Sequence, residues 1–266
     1  MIPSDSSTQQ DSEFSRLLYR ALTAGREEMV PLLEDPSRDV IKALLKNPAL
    51  DESCLLLLLK RPDLSDDLLS AIYRMPLTET SHRVKVALVH HHATPDHLVL
   101  TLIPHLYLFE LVTLCFLPGI TPDRRIVAER ALIKRIPETP LGSKITLARR
   151  APSAVVEALL HEGQPQLMAA CLDNPRLKQA AIFRFLNGPG ATAETISMVA
   201  RHPRWKSRHD LKVALLKNSK TPLVWFTAFL PGLSLVEVKN IYASSRISMA
   251  QKACVAEELL RRRGGR

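Results

Sequence analysis

A six-residue segment near the start of the chain returns almost unchanged near its end, as KALLKN at residues 42–47 and VALLKN at residues 213–218. An alanine at the same place in three intervening segments gives spacings of 44, 44, 39 and 44 residues. These alanines are Ala43, Ala87, Ala131, Ala170 and Ala214. The recurrence indicates repeated units that are each too small to bury their own apolar face, so the chain folds by stacking them.

An alignment of the chain with itself supports this interpretation. It lays residues 85–135 over residues 212–262 without a gap, and 13 of the 51 positions are identical. We call this register, in which residue 85 corresponds to residue 212, the internal alignment. A period in the low forties built from helices is typical of HEAT or armadillo-type units. The sequence therefore predicts an all-α fold, a right-handed α-solenoid of about five three-helix repeats of roughly 44 residues with helical caps.

One elongated domain over residues 13–266 is expected, because a solenoid grows by stacking and needs no central core. Residues 13–34 are predicted to form an N-terminal cap, residues 35–246 the repeats and residues 247–266 a C-terminal cap. Residues 1–12 carry short polar side chains and are expected to form a loose tail. Nineteen prolines against nine glycines suit short helices that end at proline-marked corners.

The corners resemble a known family. Residues 43–48, 170–175 and 214–218, the last followed by Thr221-Pro222, resemble the A-x-x-x-N-P-x-T-P turn of leucine-rich-repeat-variant and related HEAT-like proteins. The resemblance covers the helix-turn-helix corners and implies a HEAT-like repeat, without the variant family's iron–sulfur cluster because no four-cysteine cluster is present. The corner asparagines Asn47, Asn174 and Asn218 are expected to adopt the left-handed conformation that ends a helix. Ligand contact is the alternative for them.

Cysteine usage and the N-terminal sequence bear on location. The four cysteines are Cys54, Cys115, Cys171 and Cys254. They are far apart and form no C-x-x-C pair, which favours reduced core thiols over a metal or redox site. No apolar secretory segment is visible, so a cytoplasmic location is expected. Residues 98–117 are nearly all apolar, but their copy at residues 225–244 contains charged side chains, so no membrane insertion is expected.

Motifs of enzyme chemistry and cofactor binding are lacking. The chain has no G-x-S-x-G, P-loop, G-x-G-x-x-G or H-E-x-x-H sequence, so a non-enzymatic protein without a cofactor is expected. Consecutive histidines at 90–92, with His97 and His105 downstream, leave a metal site as an alternative to a solvated helix end. Neighbouring side chains on a helix point about 100° apart, which disfavours convergence of the three on one ion.

Charge is strongly asymmetric along the chain. Residues 1–80 hold 9 Lys and Arg against 14 Asp and Glu, and residues 81–266 hold 27 against 13. The position three residues after the five repeat alanines reads Lys46, His90, Lys134, Asp173 and Lys217, and a further step of 44 residues adds Arg261. This column, which we call the basic ladder, either follows an acidic partner or a phosphate backbone, or only complements helix dipoles in the last turn of each helix.

Two denser basic clusters are candidate partner-binding sites together with Lys217. The first cluster is Arg124, Arg125, Arg130, Lys134 and Arg135. The second is Arg201, Arg204, Lys206, Arg208 and Lys212 around Trp205. Cations beside an aromatic residue can hold phosphate while stacking a base, but an interface anchor or a staple between repeats has the same composition.

The sequence thus predicts a binding scaffold for a protein or peptide partner with an acidic surface. A solenoid that binds DNA or RNA through the basic C-terminal two thirds is the main alternative. A third hypothesis is a HEAT-like alkylpurine DNA glycosylase, whose basic surface with a tryptophan and an acidic residue is similar in general to Trp205, Asp210 and Trp225.

Overall fold

The computed structural model describes the backbone of residues 5–264 and the side chains of residues 12–263. All regular secondary structure between residues 5 and 264 is helical, which confirms the all-α prediction. The chain divides into two compact units, unit 1 (residues 1–132) and unit 2 (residues 133–266), where the sequence predicted one continuous domain.

Unit 1 is built from short helices, and its last helix contains the border with unit 2. A 3-10 turn, Ile103–His105, follows helix α8. The helices are α1 (Asp5–Thr23), α2 (Arg26–Leu32), α3 (Arg38–Leu44), α4 (Glu52–Leu58), α5 (Asp66–Tyr73), α6 (Pro76–Thr80), α7 (His82–His90), α8 (Asp96–Leu102), α9 (Leu108–Cys115) and α10 (Pro122–Arg135).

Unit 2 continues in the same manner. Its 3-10 turns are Ile136–Glu138 and Leu230–Gly232. The helices are α11 (Leu141–Arg150), α12 (Ser153–His161), α13 (Pro165–Asp173), α14 (Gln179–Leu186), α15 (Ala193–Arg201), α16 (His209–Leu216), α17 (Leu223–Phe229), α18 (Leu235–Tyr242) and α19 (Met249–Gly264).

The N-terminal segment differs from the loose tail expected for residues 1–12. Helix α1 begins at Asp5, so residues 5–12 are helical, and residues 1–4 lie outside the described part of the chain. The later part of α1 is anchored, because Ala21 and the following Ala24 are buried. Adding turns to an existing helix avoids the cost of nucleation, so polar residues can extend it.

The corner asparagines are caps, buried at Asn47 and Asn174 and half-buried at Asn218. None of them has a positive φ, so the prediction of a left-handed backbone for them was wrong. Asn174 has φ −64° and ψ 123°. Its amide nitrogen donates to the carbonyl oxygens of Ala148 at 2.6 Å and Ala151 at 3.3 Å, and its Oδ1 accepts from the backbone N–H of Arg176 at 2.7 Å. The last carbonyls of a helix have no partner within it. Asn174 satisfies two such carbonyl groups at the end of α11.

The same cap recurs at the other two corners. Asn47 donates to the carbonyl oxygens of Ala21 and Ala24 at 2.9 and 3.0 Å, which lie as far back in sequence as the partners of Asn174. Asn218 donates to the carbonyl oxygen of Leu186 at 2.6 Å. These bonds give the three corner asparagines a structural role, in agreement with one of the two interpretations of the sequence.

The internal alignment is visible in the helix bounds. In that register α8 coincides with α17, α9 with α18 and the 3-10 turn of unit 1 with Leu230–Gly232, residue for residue. The corner threonines also correspond, since Thr94 donates to the carbonyl oxygen of Leu88 at 2.6 Å and Thr221 to that of Leu215 at 2.5 Å. Within each unit the repeated sequence therefore forms the same local structure.

An ion pair is repeated with the helices. His82 Nε2 lies 2.8 Å from a carboxylate oxygen of Glu110, and His209 Nε2 lies 2.5 Å from a carboxylate oxygen of Glu237. In each copy the pair joins the first turn of one helix to the first turn of the helix after next. The glutamate also accepts from the backbone N–H at its own helix N-cap.

The apolar core contains the cysteines and the leucines of the repeated segments. Cys54, Cys115 and Cys171 are buried, Cys254 is half-buried, and all four are free thiols. Burial raises the pKa of the Cys171 thiol to about 12. In unit 2, helices α16–α19 share one apolar cluster, formed by Leu216, Phe226, Leu230, Leu233, Val238, Ile241, Ile247 and Val255. The thiols are thus packing groups, because a buried protonated thiol is a poor nucleophile.

Replacing Asp51 with alanine is expected to lower the free energy of unfolding by about 1 kcal/mol at pH 7. Asp51 is the N-cap of α4 and accepts from the backbone N–H of Cys54 at 2.8 Å. The hydrogen bonds from Ser53 and Cys54 lower the pKa of Asp51 to about 2. The stabilisation is therefore present above about pH 4 and is lost as pH falls towards 2.

Urea unfolding at pH 7 and pH 2 checks this prediction. The matched control is Ser65→Ala, because the Ser65 side chain makes no capping hydrogen bond at the start of α5. Equal losses for the two variants at pH 7 would contradict the assignment of Asp51 as a cap.

Candidate functional site

Basic charge is concentrated in unit 2. Unit 1 holds 14 Lys and Arg against 18 Asp and Glu, a net charge of −4. Unit 2 holds 22 against 9, a net charge of +13. A net charge of this size favours association with acidic partners or polyanions.

Most carboxylates of unit 2 already have partners within the unit. Three of the nine lie in ion pairs with lysine or arginine, and two more contact a histidine. The ion pairs are Glu157 with Arg184, Glu162 with Lys144, and Glu258 with Arg261 and Arg262, and the histidine contacts are Asp173 with His202 and Glu237 with His209. Hydrogen bonds from His209 and Ser234 lower the pKa of Glu237 to about 2. Few carboxylates are left to offset the remaining lysines and arginines, so the cationic excess faces solvent.

Two of the predicted partner-binding arginines hold the fold together. Arg124 is buried, forms an ion pair with Asp96 and donates to the carbonyl oxygen of Thr94. Arg204 donates to the carbonyl oxygens of Asn174 at 2.7 Å and Leu177 at 3.1 Å. Each guanidinium satisfies carbonyl groups of an earlier corner, so it has few donors left for a partner.

The two tryptophans are also occupied. Trp205 is 3% exposed, donates to the carbonyl oxygen of Leu172 at 3.1 Å and is covered by Arg204, whose guanidinium carbon lies 4.4 Å from the ring centroid. Trp225 stacks on Phe229 with ring centroids 5.4 Å apart. The guanidinium carbon of Arg201 lies 5.8 Å from the Trp225 ring centroid. Trp205 is therefore closed to a nucleic-acid base, whereas Trp225 is half-buried with Phe229 and Arg201 beside its ring.

The remaining predicted residues differ in exposure. Arg135 and Lys212 are half-buried, Arg135 has a partner of its own, and the ammonium of Lys212 lies 5.7 Å from the Phe229 ring centroid. The exposed cations are Arg125, Arg130, Lys134, Lys206 and Arg208. Arg208 is the N-cap residue of α16. A cation is unfavourable at a helix N-terminus, so helix stability does not account for Arg208.

The basic ladder is uneven. Arg261 forms an ion pair with Glu258, and Asp173 contacts His202. His90 is half-buried in unit 1. Of its members in unit 2, Lys217 lies in a groove. Among the described residues, the ammonium group of Lys217 has neither a hydrogen bond nor an ion pair. The helix-dipole interpretation therefore applies to some members of the column, while Lys217 remains available to a ligand.

The unit 2 groove has a volume of about 760 Å³, within the range of ligand pockets. Its walls are residues 186–189, Ala214, residues 217–220 and Arg246. Lys217, Lys220 and Arg246 supply three cations, and no carboxylate lines the groove. Arg246 donates to Asn187 Oδ1 at 3.1 Å, and Lys220 donates to the carbonyl oxygen of Ala191 at 2.7 Å.

The unit 1 groove lies at the corresponding place in the earlier copy. It has a volume of about 650 Å³ and contains residues 59–62, Ala87 and residues 90–92. In the register of the internal alignment, each of these corresponds to a residue of the unit 2 groove. Its remaining walls include His82 and Glu110. The duplicated sequence thus forms two equivalent grooves that differ in charge.

The consecutive histidines 90–92 have three different surroundings. His91 Nε2 lies 2.7 Å from the carbonyl oxygen of Arg61, and its Nδ1 accepts from the backbone N–H of Ala93, so it replaces a corner asparagine. His90 Nε2 is buried without a hydrogen-bond partner, and burial lowers its pKa. His92 is exposed. In the described part of the chain no group of three or more His, Cys, Asp or Glu side chains is placed to hold a metal ion.

Sequence reasoning missed Lys220 and Arg246 as members of a site. Their counterparts in the internal alignment are Ala93 and Gly119. The differences between the aligned copies, rather than their identities, were the signal that could have found them.

No protein-family model matches the chain, and no curated protein or solved structure is significantly similar to it. Over residues 5–264, no helix combines the length and apolar character needed to cross a membrane.

Proposed function

We propose that the chain is a right-handed α-solenoid of HEAT-like type with about five three-helix repeats of roughly 44 residues and helical caps. The coincidence of helix bounds and corner hydrogen bonds in the internal alignment supports this proposal. Free thiols agree with a cytoplasmic protein.

We further propose that unit 2 is a non-enzymatic binding surface for a protein or peptide with an acidic surface. The observation that carries the proposal is the net charge of +13 in a unit whose carboxylates are mostly paired internally. Lys206 and Arg208 are exposed at the start of α16, where the helix dipole disfavours cations. A partner whose carboxylates lie beside Lys206 and Arg208 would gain favourable electrostatic interactions with both side chains.

A protein partner accounts for the structure better than a nucleic acid. Proteins that bind single strands combine basic grooves with aromatic side chains on which bases stack. Trp205 is buried, and the ring of the half-buried Trp225 lies beside Phe229 and Arg201. The glycosylase hypothesis relied on both tryptophans, so the burial of Trp205 disfavours it.

An affinity capture with the double variant Lys206→Glu/Arg208→Glu tests the proposal. The wild-type protein is expected to retain a protein partner after nuclease treatment, and the double variant to lose at least about tenfold in affinity because four units of charge are removed. Arg208→Glu places a carboxylate at a helix N-terminus, so folding is expected to be preserved.

The matched control is Lys239→Glu/Lys252→Glu, which changes the net charge of unit 2 by the same amount. Equal loss in both variants would show that only net charge matters and would overturn the assignment of these residues. Capture that disappears on nuclease treatment would replace the protein partner with a nucleic acid.

A further inference from the structure

The cations of the unit 2 groove are not required by the corner that carries them. The equivalent positions in the earlier copy are His90 for Lys217, Ala93 for Lys220 and Gly119 for Arg246. Both grooves nevertheless form between helices that begin at the same aligned positions, α4 and α7 in unit 1 and α14 and α16 in unit 2, beside the same threonine hydrogen bonds. The unit 1 groove has its own cations at other positions, Lys60, Arg61 and Arg83, together with Glu110. Because the earlier copy keeps the local structure without a lysine or arginine at the three aligned positions, their presence in the unit 2 groove points to a ligand.

The two grooves also differ at the wall formed by Arg61 in unit 1. Arg61 and Asp63 of unit 1 pair with each other across 2.6 Å, and Arg61 caps the carbonyl oxygens of Leu33 and Asp35. Their counterparts in unit 2 are Gly188 and Gly190. Gly188 therefore lines the unit 2 groove at the place where the Arg61 side chain lines the unit 1 groove.

The donors left in the unit 2 groove exceed the acceptors. Lys217 uses none of its three N–H groups on another described residue, and Lys220 uses one, on Ala191. Arg246 uses one of its five on Asn187. Asn187 and Asn218 are already engaged with carbonyl groups or with the cations. The walls therefore suit a ligand group that brings several acceptor oxygens and negative charge.

We propose that the unit 2 groove binds a phosphorylated side chain of an acidic partner, as a phosphoserine or phosphothreonine in an extended peptide segment. A phosphoryl group carries close to two negative charges and three acceptor oxygens, which matches three cations better than one carboxylate does. At about 760 Å³ the groove holds more than a phosphate ion, and no aromatic side chain lines it to stack a nucleotide base. The inference rests on the proposed function and names the group that the partner presents.

Three short peptides of one sequence test the proposal by NMR titration of the full chain. They are acetylated Gly-Gly-X-Gly-Gly amides in which X is serine, glutamate or phosphoserine. The phosphoserine form is expected to shift the backbone amide signals of residues 186–189, 217–220 and 246 and to bind at least about fivefold more tightly than the glutamate form. Its affinity is expected to fall between pH 7.5 and 5.5, because the second phosphate pKa is about 6.

Variants of the groove provide the second measurement. Lys217→Gln and Arg246→Gln are each expected to weaken phosphoserine binding about fivefold, and Arg246→Lys less than that because it keeps the charge. Lys239→Gln, on the exposed surface of α18, is the control and is expected to have no effect. A circular dichroism melt of each variant checks that folding is unchanged.

Several outcomes would overturn the inference. These are equal binding of the glutamate and phosphoserine forms, amide shifts centred outside the groove, or an equal effect of Lys239→Gln. Tight binding of inorganic phosphate without any gain from the peptide would assign the groove to a free anion. Each of these leaves the proposed function intact, which falls only if no nuclease-resistant acidic partner depends on Lys206 and Arg208.

Discussion

Replacing Asn174 with alanine is expected to lower the free energy of unfolding by about 3 kcal/mol. Asn174 is 1% exposed, and its amide nitrogen satisfies the carbonyl oxygens of Ala148 and Ala151, while Oδ1 holds the N–H of Arg176. Alanine leaves these backbone groups without a partner at a site that water does not reach, and each such group costs about 1–3 kcal/mol. Urea unfolding followed by circular dichroism measures the loss.

Two further variants make this test specific. Asn240→Ala, at an exposed position on α18, is expected to change stability by less than about 0.5 kcal/mol. Asn174→Asp keeps the acceptor for Arg176 but loses both donors and adds a buried charge, so it should destabilise at least as much as alanine. A loss below about 1 kcal/mol for Asn174→Ala would show that the cap contributes little.

Gly163→Ala is expected to destabilise unit 2 by more than about 3 kcal/mol, or to prevent its folding. Gly163 follows α12 with φ +67°. A Cβ there would lie 2.5 Å from the carbonyl oxygen of Gly190 and 2.8 Å from its Cα, so the obstacle is backbone that cannot rotate away. The left-handed conformation adds strain of about 1 kcal/mol for alanine.

Gly142→Ala is the matched control for this prediction. Gly142 lies in the first turn of α11, and a Cβ there meets nothing within 4 Å. Alanine is therefore expected to stabilise the protein by about 0.5–1 kcal/mol through its helix propensity. Thermal unfolding compares the two variants, and wild-type stability of Gly163→Ala would refute the close approach between Gly163 and Gly190.

The positions of the helices were largely predictable. Helices at residues 122–135, 153–161 and 193–201 begin and end where proline and polar caps around apolar segments indicate. Local signals suffice here because a short helix ends where its own residues break it. Helix α6 was not predicted, since Pro76–Thr80 is too short for a periodic pattern.

The role of each cation was not predictable from its place in the sequence. Arg204 and Arg208 are exposed members of one basic cluster, yet Arg204 caps three carbonyl groups of an earlier corner and Arg208 is the N-cap residue of α16. The partners of Arg204 lie at positions 174–177, far back in the sequence, so only the folded chain brings them within reach. Trp205 was expected at a binding surface. It is buried instead, because the fold places residues distant in sequence around it.

The sequence by itself determined the helical content, the proline-marked corners and the later copy of residues 85–135, because these depend on neighbouring residues and on internal comparison. Tertiary structure alone decided that the corner asparagines donate across to an earlier helix and that left-handed turns fall on Gly119 and Gly163. It also placed Lys217, Lys220 and Arg246 in one groove. The physical reason is that the packing of residues distant in sequence decides which backbone groups lie beside a long polar side chain. Those groups either take up its hydrogen-bonding capacity or leave it free for a ligand.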